Sequence, residues 1–153
     1  MEPRSKRSQS PEKRQKRFLA LPEFVNPDAV AADLLNQNLV NGRDYLVVDV
    51  RDDDFNGGNI INAINIPSAT FDANLPSIHQ QLKPIPKLYF HCALSQVRGP
   101  KCAQKYVNFI NASDEHSLQQ QVFIVRGGYQ DFAAQYQNNK DLVQNVSYGY
   151  PSN

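Results

Sequence analysis

The chain of 153 residues carries two cysteines, three histidines, one methionine and no tryptophan. A structural disulfide is disfavoured because Cys92 and Cys102 bracket one loop-to-helix segment where side chains diverge, so free thiols are expected. His79 and His116 have no ligand-like spacing with either cysteine, and no metal site is expected. No apolar run approaches the ~18 residues a membrane span requires. The N-terminus also lacks the apolar core of a secretory signal, so a reducing compartment, cytoplasmic or nuclear, is expected.

What is present is ordinary globular composition, 41% hydrophobic and 20% charged, on a length suited to one domain. The net charge of +1 hides an asymmetry: residues 1 to 17 hold seven Lys/Arg against two Glu, and the remainder holds nine against thirteen acidic residues. The expected organisation is a disordered basic arm over 1–19, a catalytic domain over 20–147 and a short tail over 148–153. Arg4, Lys6 and Arg7 followed by Lys13, Arg14, Lys16 and Arg17 form two basic clusters of the kind an import receptor binds, against the plainer reading of a solvated tail. A membrane partner is not expected, and nucleic acid is a weaker fit than a protein or small-molecule partner.

From residue 20 onward, short apolar runs alternate with amphipathic stretches. Tyr45–Val50, Ile60–Ile66, Lys87–His91 and Val122–Val125 are the strand candidates, bounded by Gly, Pro, Asn or Asp. A helix opens at Asn26-Pro27 with Val30, Leu34 and Leu35 inward and stops by Asn41-Gly42. A second carries Leu75, Ile78 and Leu82 before Pro84 and Pro86. A third starts at Gly99-Pro100 with Ala103, Tyr106, Val107 and Ile110 on one face, and a fourth places Tyr129, Phe132, Ala133 and Tyr136 together. Strands separated by helices predict an α/β fold with a mainly parallel central sheet and helices on both faces.

Residues 89 to 100 concentrate the chemistry: an apolar strand ends at His91-Cys92, five residues follow, and Arg98-Gly99-Pro100 opens a helix. Ligands of parallel sheets bind beyond the strands' C-terminal ends, where Cys92 falls. Backbone N–H groups of a tight loop (Ala93, Leu94, Ser95, Gln96, Val97, Arg98), a helix N-terminus and a guanidinium fork together suit a tetrahedral oxyanion, and the same field favours a sulfur anion over a thiol. Cys92 is the candidate nucleophile and Arg98 the candidate charge-neutralising group. His91 is expected to orient the loop through hydrogen bonds. Ser95 either offers its hydroxyl to the sulfur or leaving group, or stabilises the loop. Cys102 is expected to be a core thiol rather than a resolving one. The loop holds no carboxylate, and Asp52-Asp53-Asp54 is the nearest candidate acid, against the plainer reading of a solvated turn.

The chain resembles a rhodanese-fold single-domain protein, and within that superfamily the M-phase inducer phosphatases and the related small arsenate reductases, which share the His-Cys, five-residue loop, Arg-Gly-Pro signature. Leu46-Val-Val-Asp-Val-Arg51 with Phe55, Gly57-Gly58, Ile60, Ala63 and Asn65-Ile66-Pro67 is similar to the family's first motif. Val122-Phe-Ile-Val-Arg-Gly-Gly-Tyr-Gln-Asp-Phe132 is similar to its C-terminal motif. Asn59 stands where the family usually has His, and Phe132 where it usually has Trp.

The resemblance implies a three-layer rhodanese-like fold, with Asp49 and Arg51 as a buried pair bracing the active loop. It implies a cysteine-dependent protein phosphatase acting on phosphotyrosine or dual-specificity substrates through a phosphocysteine intermediate, with no cofactor. The alternative is an arsenate reductase that draws electrons from glutathione or glutaredoxin. Leu94 leans toward the phosphatase, because the reductases tend to carry Gly at that loop position. A sulfurtransferase fits less well because its loop is one residue shorter, and a non-catalytic interaction module fits less well because Cys92 and Arg98 are both intact.

Overall fold

The computed structural model describes residues 19–113 and 119–147. The basic arm, the tail from 148 and His116 lie outside the described residues. Strands β1 (Glu23–Val25), β6 (Gln121–Val125), β5 (Lys87–His91), β2 (Leu46–Asp49) and β4 (Ile64–Asn65) form one sheet in that spatial order. Every pairing in it is parallel. Four helices, α1 (Pro27–Leu35), α2 (Leu75–Leu82), α3 (Arg98–Ala112) and α4 (Gly128–Tyr136), connect and cover it.

Side-chain alternation along the central strands sorts the core into two layers. Leu46 and Val48 of β2 and Leu88 and Phe90 of β5 share one cluster with Ile78 and Leu82 of α2 and Tyr106, Val107 and Ile110 of α3. Val47 and Tyr89, one residue out of step, face Val30 of α1 and Phe132 of α4. Central parallel strands are covered on both faces, which is why β2 is buried at all four positions. Burial of Phe90, Tyr106 and Phe132 at 0% exposure makes them the heaviest contributors, each costing about 3–5 kcal/mol if cut to alanine.

Three expectations differ from what forms. The single strand over 60–66 is divided: β3 (Asn59–Ile60) leaves the main sheet to pair antiparallel with β7 (Val143–Gln144), and only β4 joins β2. The break is a turn in which the Ala63 N–H reaches the Ile60 carbonyl and Asn62 takes φ +57°. The first helix stops at Leu35, not Asn41, because Asn36 is extended and its Oδ1 accepts the N–H of Asn38. Strands β1 and β7 have no expected counterpart, being three and two residues long. Among the described residues no helix is long and apolar enough to cross a membrane.

Candidate active site

Strand β5 runs from the core to the rim of the sheet and delivers Cys92 at its C-terminal end, 3% exposed and free of any disulfide. Residues 93–97 curl over it, and α3 begins at Arg98. The Gly99 N–H donates to Cys92 Sγ at 3.1 Å, so the first turn of α3 aims an orphan amide at the sulfur. Gly99 permits this approach: a Cβ there would lie 3.2 Å from His91 Cα and 3.2 Å from the Cys92 nitrogen.

Among the described residues, none accepts a hydrogen bond from the backbone N–H groups of Ala93 through Arg98. Backbone donors are almost always paired in a folded protein, and successive loop amides with no acceptor among the described residues are the kind of donor set from which an anion cradle is built. Cys92, Ala93, Leu94, Gln96, Val97 and Arg98 line an open depression of about 190 Å³ there. Leu94 and Val97 form its rim, 41% and 63% exposed.

The loop is held from behind. Amides of Tyr129 and Gln130, in the first turn of α4, donate to the carbonyls of Cys92 and Ala93 at 2.9 Å each. Those two bonds tie the start of the loop to the first turn of α4. This contact requires Gly128 (φ +59°), where a Cβ would stand 2.5 Å from both carbonyl oxygens. The Gly127-Gly128 pair ahead of a helix is the sequence signal for it, visible but not interpretable without the fold.

Ser95 adopts φ +56° at 3% exposure, and its hydroxyl accepts the N–H of Cys92 at 3.4 Å. Of its two expected roles, this geometry displays the loop-stabilising one. His91 is fully buried and its Nδ1 lies 3.0 Å from the Cys92 carbonyl, an acceptor, so Nδ1 carries the proton. Burial pushes the imidazole below its usual range, outweighing the Asp49 carboxylate 3.6 Å from Nε2. Arg51, a smaller contribution in the same direction as burial, engages Asp49 through Nε and Nη2 at 3.0 and 2.8 Å.

Asp49 and Arg51, 0% and 4% exposed, are thus the expected buried pair. Arg51 also donates to the Asp54 and Gly58 carbonyls and stacks on the Tyr129 ring at 4.3 Å. Arg51 thus stacks on the residue whose amide holds the Cys92 carbonyl. Cys102 packs in the core from α3, and burial pushes its thiol up to about 12. Asn59 lies in β3 and Phe132 in the second core layer, and neither lines the depression.

Arg98 differs from expectation in its partners. Its Nη1 and Nη2 grip Asp54 bidentately at 2.9 and 2.7 Å, and Nη1 also lies 3.2 Å from Asp52. Asp52 is itself anchored by Ser68 Oγ at 2.7 Å and the Ala69 N–H at 2.9 Å. Asp52 and Asp54 are therefore not a free solvated turn, and while Arg98 holds it the Asp54 carboxyl is pulled down to about 2. The Asp53 side chain has no partner among the described residues. Among the described residues no cluster of His, Cys, Asp and Glu is arranged to hold a metal ion.

Comparison with known proteins agrees with this architecture. The chain is 36% identical over 89 residues to the dual specificity phosphatase Cdc25 of Arabidopsis thaliana, covering 58% of this chain and 61% of that one. It is 38% identical over 84 residues to arsenate reductase 2.2 of Oryza sativa subsp. japonica, covering 54% and 65%. It is 29% identical over 135 residues to the dual specificity phosphatase ibp1 of Schizosaccharomyces pombe, covering 79% and 95%. The match thus spans less than two thirds of the first two relatives' length. Among solved structures, a yeast protein tyrosine phosphatase of the Rhodanese family superposes with TM-score 0.72 at 19% identity, covering 84% of this chain and 96% of that one; it speaks for the fold alone. The As-Sb reductase from Leishmania major superposes with TM-score 0.61 at 25% identity, covering 84% and 88%. Residues 31–135, more than half of the chain, match the Rhodanese-like domain, and the chain belongs to that family.

Proposed function

We propose that this protein is a cysteine-dependent phosphatase acting on phosphorylated protein side chains, with Cys92 as nucleophile and the 93–98 loop and Arg98 as the oxyanion site. The observation that carries the reading is that the N–H groups of residues 93–98 have no acceptor among the described residues, next to a sulfur that already accepts the Gly99 N–H. Such preorganised donors stabilise charge as it develops on the equatorial oxygens of a phosphoryl group. The sulfur attacks phosphorus in line, the S–P bond forms as the ester P–O bond breaks, and the leaving oxygen takes a proton. Water then cleaves S–P, releasing inorganic phosphate and restoring the sulfur. No carboxylic acid stands in the loop itself, and water supplies that proton in this reading. The reaction as written needs no cofactor.

Arsenate reduction is the second reading, supported by the rice and Leishmania relatives. It begins with the same attack on a tetrahedral oxyanion and needs an external thiol, glutathione or glutaredoxin, as reductant. The apolar rim of Leu94 and Val97 favours an organic ester, because an inorganic anion gains nothing from exposed hydrophobic surface. Hydrolysis of an aryl phosphate, run beside arsenate reduction with glutathione and glutaredoxin, separates the two. Turnover in the first that disappears in Cys92→Ser supports the phosphatase. Turnover only in the second supports the reductase, and silence in both removes catalysis.

For location and partners, we propose a cytoplasmic or nuclear phosphoprotein substrate reached through this open site. The basic clusters of residues 4–17 are in keeping with recognition by an import receptor.

A further inference from the structure

Arg98 is expected to bind the substrate oxyanion, yet its Nη edge is already taken. Asp54 holds both Nη atoms and Asp52 shares one, at 2.7 to 3.2 Å. A guanidinium facing two carboxylates has a local charge of about −1, which repels a dianion approaching the loop. Both carboxylates are built in and not incidental. Asp52 is fixed by Ser68 and Ala69, its own N–H donates to Asp54 Oδ1 at 3.0 Å, and the turn Asp53–Phe55 that carries Asp54 is pinned where Arg51 donates to the Asp54 carbonyl. The buried Asp49–Arg51 brace thus also sets the position of the carboxylate that engages Arg98.

We propose that Asp52 and Asp54 form an internal anion clamp that competes with substrate for Arg98, and so sets how tightly the site takes a tetrahedral oxyanion. The proposal rests on the oxyanion-site reading above. In the resting protein the fork holds Asp54. An incoming phosphoryl or arsenate group draws the guanidinium over the loop, and Asp54 takes it back when the product leaves. Asp54 is a positioning residue here: it acts through Arg98 and touches no reacting atom. A clamp of this kind weakens ground-state binding without altering the chemical step, so its removal is read in affinity and KM rather than in kcat.

The test uses the full chain with Asp54→Asn, Asp52→Asn and, as control, Asp53→Asn, which removes a charge from the same turn without touching Arg98. Tungstate affinity is measured from protection of Cys92 against iodoacetamide, and KM and kcat are measured on an aryl phosphate. Asp54→Asn is expected to tighten tungstate and lower KM by about fivefold, the upper range for a partly exposed ion pair, with a smaller change in kcat. Asp52→Asn is expected to shift both in the same direction by less, and Asp53→Asn to move neither by more than about twofold. Weaker or unchanged tungstate binding in Asp54→Asn overturns the clamp, as does an equal gain in Asp53→Asn, which reduces the effect to bulk charge. A wild-type protein that neither binds tungstate nor turns over the ester removes the oxyanion-site reading itself, and the clamp with it.

Discussion

The N–H of Gly99 points at Cys92 Sγ from 3.1 Å, bringing the first turn of α3 against the end of β5. That contact depends on the missing side chain, since a Cβ at Gly99 would press on His91 and Cys92 backbone from 3.2 Å. Gly99→Ala is therefore expected to push the helix start off the sulfur. Displacements of about 1 Å cost roughly 100-fold in turnover. Aryl-phosphate kcat/KM should fall by at least about tenfold while the far-ultraviolet circular dichroism stays that of wild type; unchanged turnover contradicts the role given to this amide.

Gly128 makes the complementary test from the other side of the loop. Alanine there meets the Cys92 and Ala93 carbonyls at 2.5 Å and must also adopt φ +59°. Gly128→Ala should lower stability by about 1–3 kcal/mol and lower turnover in the molecules that remain folded. Denaturant unfolding beside kcat/KM per folded molecule checks it. Loss of stability alone, with full turnover, argues that α4 does not position the loop.

Replacing Asp49 leaves Arg51 buried and charged without its carboxylate. Asp49→Asn should cost about 3–5 kcal/mol, the usual penalty for breaking a buried pair, and turnover should fall with it through the Tyr129 link to Cys92. A stable but inactive Asp49→Asn protein points instead to a direct part in the reaction.

His91 gives stability a pH dependence of known sign. Burial keeps the folded imidazole below its usual range, while the unfolded chain takes up a proton near the ordinary value of about 6.5. The unfolded state then binds more protons, so this contribution is complete above about 6.5 and is lost as pH falls toward the lower folded value. The melting temperature of wild type should drop between pH of about 7.5 and about 5.5, and should drop less in His91→Asn. Equal slopes in the two proteins contradict a buried neutral His91.

The order of elements and the strand–loop–helix around Cys92 were legible because they rest on local signals. The unbroken apolar run of Leu46, Val47 and Val48 marks a doubly covered strand, and Arg98-Gly99-Pro100 marks a helix start. Strand β1 was not legible: three residues at the sheet edge with two exposed carry no pattern, and only pairing with β6 makes them a strand. The break at Asn62 depends on a positive φ that Asn tolerates but does not announce. At the site, the Asp49–Arg51 pair was readable through family resemblance. The grip of Asp54 on Arg98 was not, because it joins residues 44 positions apart that only the fold brings together. Nor could the sequence show that the amides of Tyr129 and Gln130 hold the loop, since backbone donors carry no residue signature.

The central claim is that the loop from Ala93 to Arg98 encloses a tetrahedral oxyanion directly above Cys92. A crystal structure of the protein soaked in tungstate tests it most directly. The account predicts tungsten density within contact distance of Cys92 Sγ, its oxygens bonded by the loop N–H groups and the Arg98 guanidinium swung from Asp54 to meet them. Tungstate bound elsewhere, with those amides turned away from the sulfur, contradicts it.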